Sequence, residues 1–94
     1  MTMTFEGTVI EWRGPPPYLF VAIPEDLSRQ LKAVSAGLTY GWGVIPVSAR
    51  SGQTRWTTSL FPKEGRYLVP IKTVVQKAER VGVGDTIEIV LEIG

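Results

Sequence analysis

Asp85-Thr-Ile-Glu-Ile-Val-Leu-Glu-Ile93 decides the fold. Ile87, Ile89, Leu91 and Ile93 recur at every second position, with Glu88, Val90 and Glu92 between them. A period of two sends the first set to one face of a strand and the second to the other, so the segment reads as a strand with one face on a core. Asp85, after Gly84, reads as the turn residue that leads into it. Glu88 and Glu92 share the outward face and read as solvated carboxylates rather than as a catalytic dyad.

Working back from this strand, Pro70 to Arg80 fits a short helix with Ile71, Val74, Val75 and Ala78 on its apolar side and Gly82 and Gly84 beyond its end. Arg66 to Val69 reads as a short strand, and Pro62-Lys-Glu-Gly65 as the turn before it. From Gln53 to Phe61 the alternation sends Trp56, Thr58 and Leu60 one way and Arg55, Thr57 and Ser59 the other. Ser51-Gly52 separates this run from Val44–Arg50, so the two read as a β-hairpin. The strand-like pattern before that turn spans Tyr40 to Ala49, and Pro46 within it calls for an edge position or a bulge.

Further toward the N-terminus, Pro24 to Val34 reads as a helix. Proline suits its first position, Glu25 and Asp26 suit its positive end, and Leu27, Leu31 and Val34 form one apolar stripe. Gly37 is its stop signal. Tyr18-Leu-Phe-Val-Ala-Ile23 is a continuous apolar run that reads as a buried strand. Arg13-Gly-Pro-Pro-Pro17 is a stiff connection, because three consecutive prolines cannot donate to a ladder. Phe5 to Trp12 is a further strand. Phe5, Gly7 and Val9 lie on one face, with Ile10 and Trp12 on a second face that is expected to be covered too.

About six strands and two short helices therefore share 94 residues. Two such helices cannot cover both faces of the sheet, whereas closure hides its edges and makes a core from its own side chains. The expected fold is mainly β: a small closed or partly open antiparallel β-barrel of about six strands with two short helices at its openings or flank. An open α+β sandwich is the alternative. Residues 1–94 form a single domain without internal repeats, and a chain this short buries roughly 60–65% of its unfolded surface.

Composition narrows the chemistry. The chain has no cysteine and no histidine, which excludes disulfides, thiolate chemistry, a serine–histidine triad and the commonest metal ligands. No metal and no cofactor are expected. The net charge is +1, yet residues 50–80 carry a net +5 and the last fourteen residues −3. The two regions read either as solvated faces that partly pair or as an anion site. No apolar run approaches the ~20 residues of a membrane span, and Met1–Glu6 lacks a signal pattern. A soluble cytoplasmic protein is the expectation.

Trp42-Gly-Val-Ile-Pro-Val47, Trp56-Thr-Thr-Ser-Leu-Phe-Pro62, Tyr67-Leu-Val-Pro-Ile-Lys72 and Gly84-Asp85 occur in the order and spacing of a bacterial family catalogued as domain of unknown function 1905. Phe5-x-Gly-x-Val and Phe20-Val-x-Ile-Pro24 are similar to it as well. The resemblance covers nearly the whole chain and implies a small β-barrel, which in some bacterial proteins is joined to a YdeI/OmpD-associated bacteriocin-protection domain. Members often carry an arginine four residues after the lysine that corresponds to Lys72. Gln76 stands there in this chain.

Arg55, Ser59, Tyr67 and Lys72 are donors of the kinds that hold a carboxylate or phosphate, aided by free amides at the start of the second helix. Trp42 and Trp56 would either wall that site or belong to the core. These six are the candidate ligand-binding residues, and the expected function is a non-catalytic binding or accessory module for a small anionic or aromatic ligand. Single-stranded nucleic acid is the alternative, since Tyr40, Trp42, Trp56 and Tyr67 interleave with Arg50, Arg55 and Arg66, although the near-zero net charge argues against it. An enzyme is the third reading. A Ser59–Lys72 pair is formally available, but nothing marks either residue as activated. Strand edges would offer a route to a homodimer.

Overall fold

A computed structural model describes residues 1–12, 18–34 and 44–93. Among the described residues the strands are β1 (Thr2–Trp12), β2 (Tyr18–Ala22), β3 (Ile45–Ser51), β4 (Thr54–Lys63), β5 (Arg66–Ile71) and β6 (Thr86–Ile93). Helix α1 (Glu25–Val34) follows β2, and α2 (Thr73–Glu79) follows β5. The strands close into a barrel in the order β1-β2-β5-β4-β3-β6, antiparallel throughout, with β6 paired back to β1.

Two long strands turn the corners. β1 pairs with β6 through Thr2–Thr8 and with β2 through Val9–Trp12. β4 pairs with β3 through Thr54–Leu60 and with β5 through Phe61–Lys63. Gly7 lies just before the β1 corner, where a Cβ would sit 2.4 Å from Val21 Cγ1. Each described strand has a hydrogen-bonded neighbour on both sides.

Alternation builds the core as the sequence indicates. Phe5, Val9, Val47, Trp56, Leu60, Val69, Ile89 and Leu91 all point inward and are buried. Helix α1 adds Leu31 and Ser28, and α2 adds Val75. The Ser28 hydroxyl donates to the Ile23 carbonyl at 3.1 Å and accepts the Tyr67 N–H at 3.2 Å, fastening α1 beside the β2–β5 seam.

Several boundaries differ from the sequence reading. Pro70 and Ile71 belong to β5, because the ladder to β2 runs on through Phe20 and Leu19, and α2 starts only at Thr73. Of its expected apolar side only Val75 is fully buried, while Val74 is 64% exposed and Ala78 is exposed. In α1 the inward face is Leu27, Ser28 and Leu31, and Val34 is exposed. Pro62 lies in β4, and the turn is Glu64-Gly65 with φ of 50° and 81°. Proline, fixed near φ −65°, cannot take either position of such a turn.

The first hairpin loop is Gly52-Gln53 rather than Ser51-Gly52, because Gly52 supplies a φ of 58° at the first loop position. β1 begins at Thr2, ahead of Phe5. Ile10, expected to be covered, is 43% exposed. Pro46 stands opposite Ser59 at a level that the pairing of β3 with β6 does not reach, in keeping with an edge position. The Arg13–Pro17 connection, the Gly37 stop and the Tyr40–Gly43 part of the expected third strand lie outside the described residues. No described helix is long and apolar enough to cross a membrane.

Candidate functional site

The hairpin register places the cations. With Gly52-Gln53 as the loop, Arg50 stands directly opposite Arg55, Ser48 opposite Thr57 and Pro46 opposite Ser59. β6 adds Val90 beside Arg50 and Glu92 beside Ser48. All of these positions lie on the outer face, since the alternate residues Val47, Ala49, Trp56, Leu60 and Leu91 are in the core. A groove of about 550 Å³ crosses this face, lined by Ser48, Ala49, Arg50, Arg55, Trp56, Thr57, Val90 and Glu92.

Its electrostatics are lopsided. Like charges directly opposite on neighbouring strands repel, and Arg50 and Arg55 form such a pair. The Arg50 guanidinium donates one hydrogen bond from Nη1 to the Gly52 carbonyl at 2.9 Å, which holds it beside the turn. Arg55 is exposed, and no hydrogen bond or ion pair engages its side chain among the described residues. Glu92 lies one level along the strand and makes no ion pair with either arginine. Two guanidinium groups, two hydroxyls and an aliphatic floor at Val90 can together hold a small polar anion.

Five of the six residues singled out in the sequence are described, and they divide between the outer face, the core and the start of α2. Trp42 lies outside the described residues. Arg55 and Ser59 share the outer face of β4, where Arg55 lines the groove and half-buried Ser59 lies further along the strand. Trp56 and Tyr67 are each 6% exposed and belong to the core, on the inner side of the barrel wall. The Trp56 indole N–H donates to the Pro70 carbonyl at 3.0 Å, so its polar edge is used in closing the barrel. Lys72 is exposed at the N-cap of α2, makes no side-chain capping bond, and has no hydrogen bond to Ser59. Gln76, at the place where an arginine was expected, donates through Nε2 to the Ile71 carbonyl at 2.8 Å.

Arg50, Ser48 and Glu92 were not among the sequence candidates for this site. The signal that finds them is the position of the loop. Around Ser51-Gly52, Arg55 would face Ser48; around Gly52-Gln53 it faces Arg50, and the two cations come together. Among the described residues, no group of three or more carboxylates is placed to hold a metal ion.

A family model described as Domain of unknown function (DUF1905) matches residues 5–91, and the chain belongs to that family. A search of the curated proteins finds no match. Many residues that carry the family resemblance are interior ones. Phe5, Val9, Val47, Trp56, Leu60, Tyr67, Val69 and Ile71 are all in the core, so this part of the signature specifies the barrel rather than a site.

Proposed function

We propose that this DUF1905 member is a non-catalytic binding or accessory module of the bacterial cytoplasm, and that the groove across β4, β3 and β6 takes a small polar anion. One observation carries the reading: Arg50 and Arg55 are directly opposed on the outer face, and among the described residues no carboxylate is paired with either. A fold that needed only a solvated surface there would gain by alternating the charges. Ser48 and Thr57 supply hydroxyl donors at the next level, and Glu92 at one side favours a ligand that also carries a donor. Nucleic acid is the weaker reading, because Trp56 and Tyr67 are each 6% exposed, which leaves little ring surface for a base to stack on. The Ser59–Lys72 reading has no hydrogen bond to support it.

Titration of the ¹⁵N-labelled protein with inorganic phosphate and with citrate tests the proposal. The amides of Ser48, Arg50 and Thr57 are expected to shift in a saturable way. Arg55→Glu places opposite charges across the hairpin, so it should abolish those shifts while raising stability by roughly 0.2–1 kcal/mol. If a panel of carboxylates and phosphates leaves the three amides unmoved at about 10 mM, a concentration that reveals even weak sites, the proposal is wrong.

A further inference from the structure

We propose a second, separate site on the outer face of β1, β2 and β5, a groove that takes a monocarboxylate with an aromatic or aliphatic body. The register brings Ile10 beside Phe20, and Ala22 beside Leu68, which in turn stands beside Phe61. These side chains are not part of the interior cluster, although Phe20 and Leu68 are themselves buried, at 7% and 5% exposure. Phe61 meets Phe20 edge-on at a centroid distance of 6.4 Å and an angle of 76°. Phe61 remains 41% exposed and Ile10 43% exposed. Over Ile10, Ala22 and Leu68 opens a groove of about 480 Å³ that reaches Arg66. An apolar floor ending at a few convergent polar groups is the usual make-up of a small-molecule site.

Arg66 is the residue that defines the ligand's charged end. Its Nε donates to the Ile23 carbonyl at 2.9 Å, which fixes the plane of the guanidinium. Its two terminal nitrogens make no other hydrogen bond among the described residues. A guanidinium held in this way is prepared to receive both oxygens of one carboxylate. Lys63 stands opposite Arg66 in register and adds a second positive charge. Glu11 and Glu64 also line the groove and bring its formal charge to zero. That balance disfavours a dianion and suits a singly charged head on an apolar body. Charge complementarity therefore distinguishes this groove from the more positive one at Arg50 and Arg55.

The test is an amide-shift titration of the full chain with 2-naphthoate, set against 2-naphthalenemethanol, acetate and inorganic phosphate. Naphthoate should move Ile10, Ala22, Arg66 and Leu68 with a Kd of ~1 mM or below. The alcohol, which lacks the charge, and acetate, which lacks the body, should each bind at least tenfold more weakly, and phosphate should leave these amides in place. Arg66→Gln should weaken naphthoate at least tenfold. Ile10→Glu, at an exposed position that the fold tolerates, should do the same. The proposal is overturned if naphthoate leaves the four amides unmoved at about 5 mM, if the alcohol binds equally well, or if both variants bind like the parent.

Discussion

Gly7 shows how one residue sets a corner. β1 hands its pairing from β6 to β2 between Thr8 and Val9, and the approach to β2 leaves no space for a side chain at Gly7. The atom that a Cβ would strike, Val21 Cγ1, belongs to a fully buried, β-branched side chain with one strongly preferred rotamer. Gly7→Ala must therefore displace the β1–β2 corner and should cost about 1–3 kcal/mol, read from the urea midpoint at unchanged slope. A loss within a few tenths would mean that Val21 moves aside freely. At this scale the sequence was informative in one respect and silent in another. Alternation places Trp56 and Leu60 on one face and Arg55 and Ser59 on the other, because side chains on a strand have a period of two, but it leaves open whether Trp56 is core or site wall. It could not pair Arg55 with Arg50, because that depends on which dipeptide forms the loop.

The hairpins and helices carry the next layer of specification. In the β4–β5 hairpin the two loop residues, Glu64 and Gly65, both have positive φ. Two-residue loops of this kind match the twist of the strands they join, and Asn-Gly is their favoured sequence. Glutamate in the left-handed region is strained, at a cost of roughly 1–2 kcal/mol against ordinary backbone, and asparagine bears that conformation more easily. Glu64→Asn should raise stability by about 0.5–1 kcal/mol in thermal or urea unfolding. An unchanged or lowered midpoint would show that the Glu64 side chain contributes more than its backbone strain removes. The start of α2 is hidden from the sequence for a related reason. Proline at the start of a helix is a true signal in α1, where Pro24 immediately precedes Glu25 and its carbonyl accepts the Ser28 N–H at 2.9 Å. Pro70 resembles it, but the ladder to β2 holds Pro70 and Ile71 in β5, and a tertiary contact of that sort leaves no local trace. Existence and type of the elements were thus legible from periodicity, while their ends depended on partners far away in sequence.

At the scale of the molecule, closure is the decisive event, and its seams are unequal. β3–β4 and β1–β6 are each joined by seven register pairs, whereas β4–β5 has three, one of which involves Pro62 without an N–H. The barrel compensates there with side chains. The Trp56 indole N–H reaches from β4 to the Pro70 carbonyl of β5, and Thr54 Oγ1 donates to Glu79 Oε2 at 2.5 Å, tying α2 to the start of β4. Trp56 therefore contributes both its buried ring and a bond across the weakest seam. Trp56→Phe keeps an aromatic ring in the core but leaves the Pro70 carbonyl without its indole donor. It should cost about 1–3 kcal/mol from the lost bond and the smaller ring. Because a closed barrel cannot lose one strand without opening two ladders, unfolding should remain a single transition. Native-state hydrogen exchange locates the effect: the amides of Leu68 and Ile71 should lose more protection than those of Val47 and Ala49 in the β3–β4 hairpin. Equal losses in the two regions would mean that the β4–β5 seam opens only with the whole barrel and that Trp56 stabilises through packing alone.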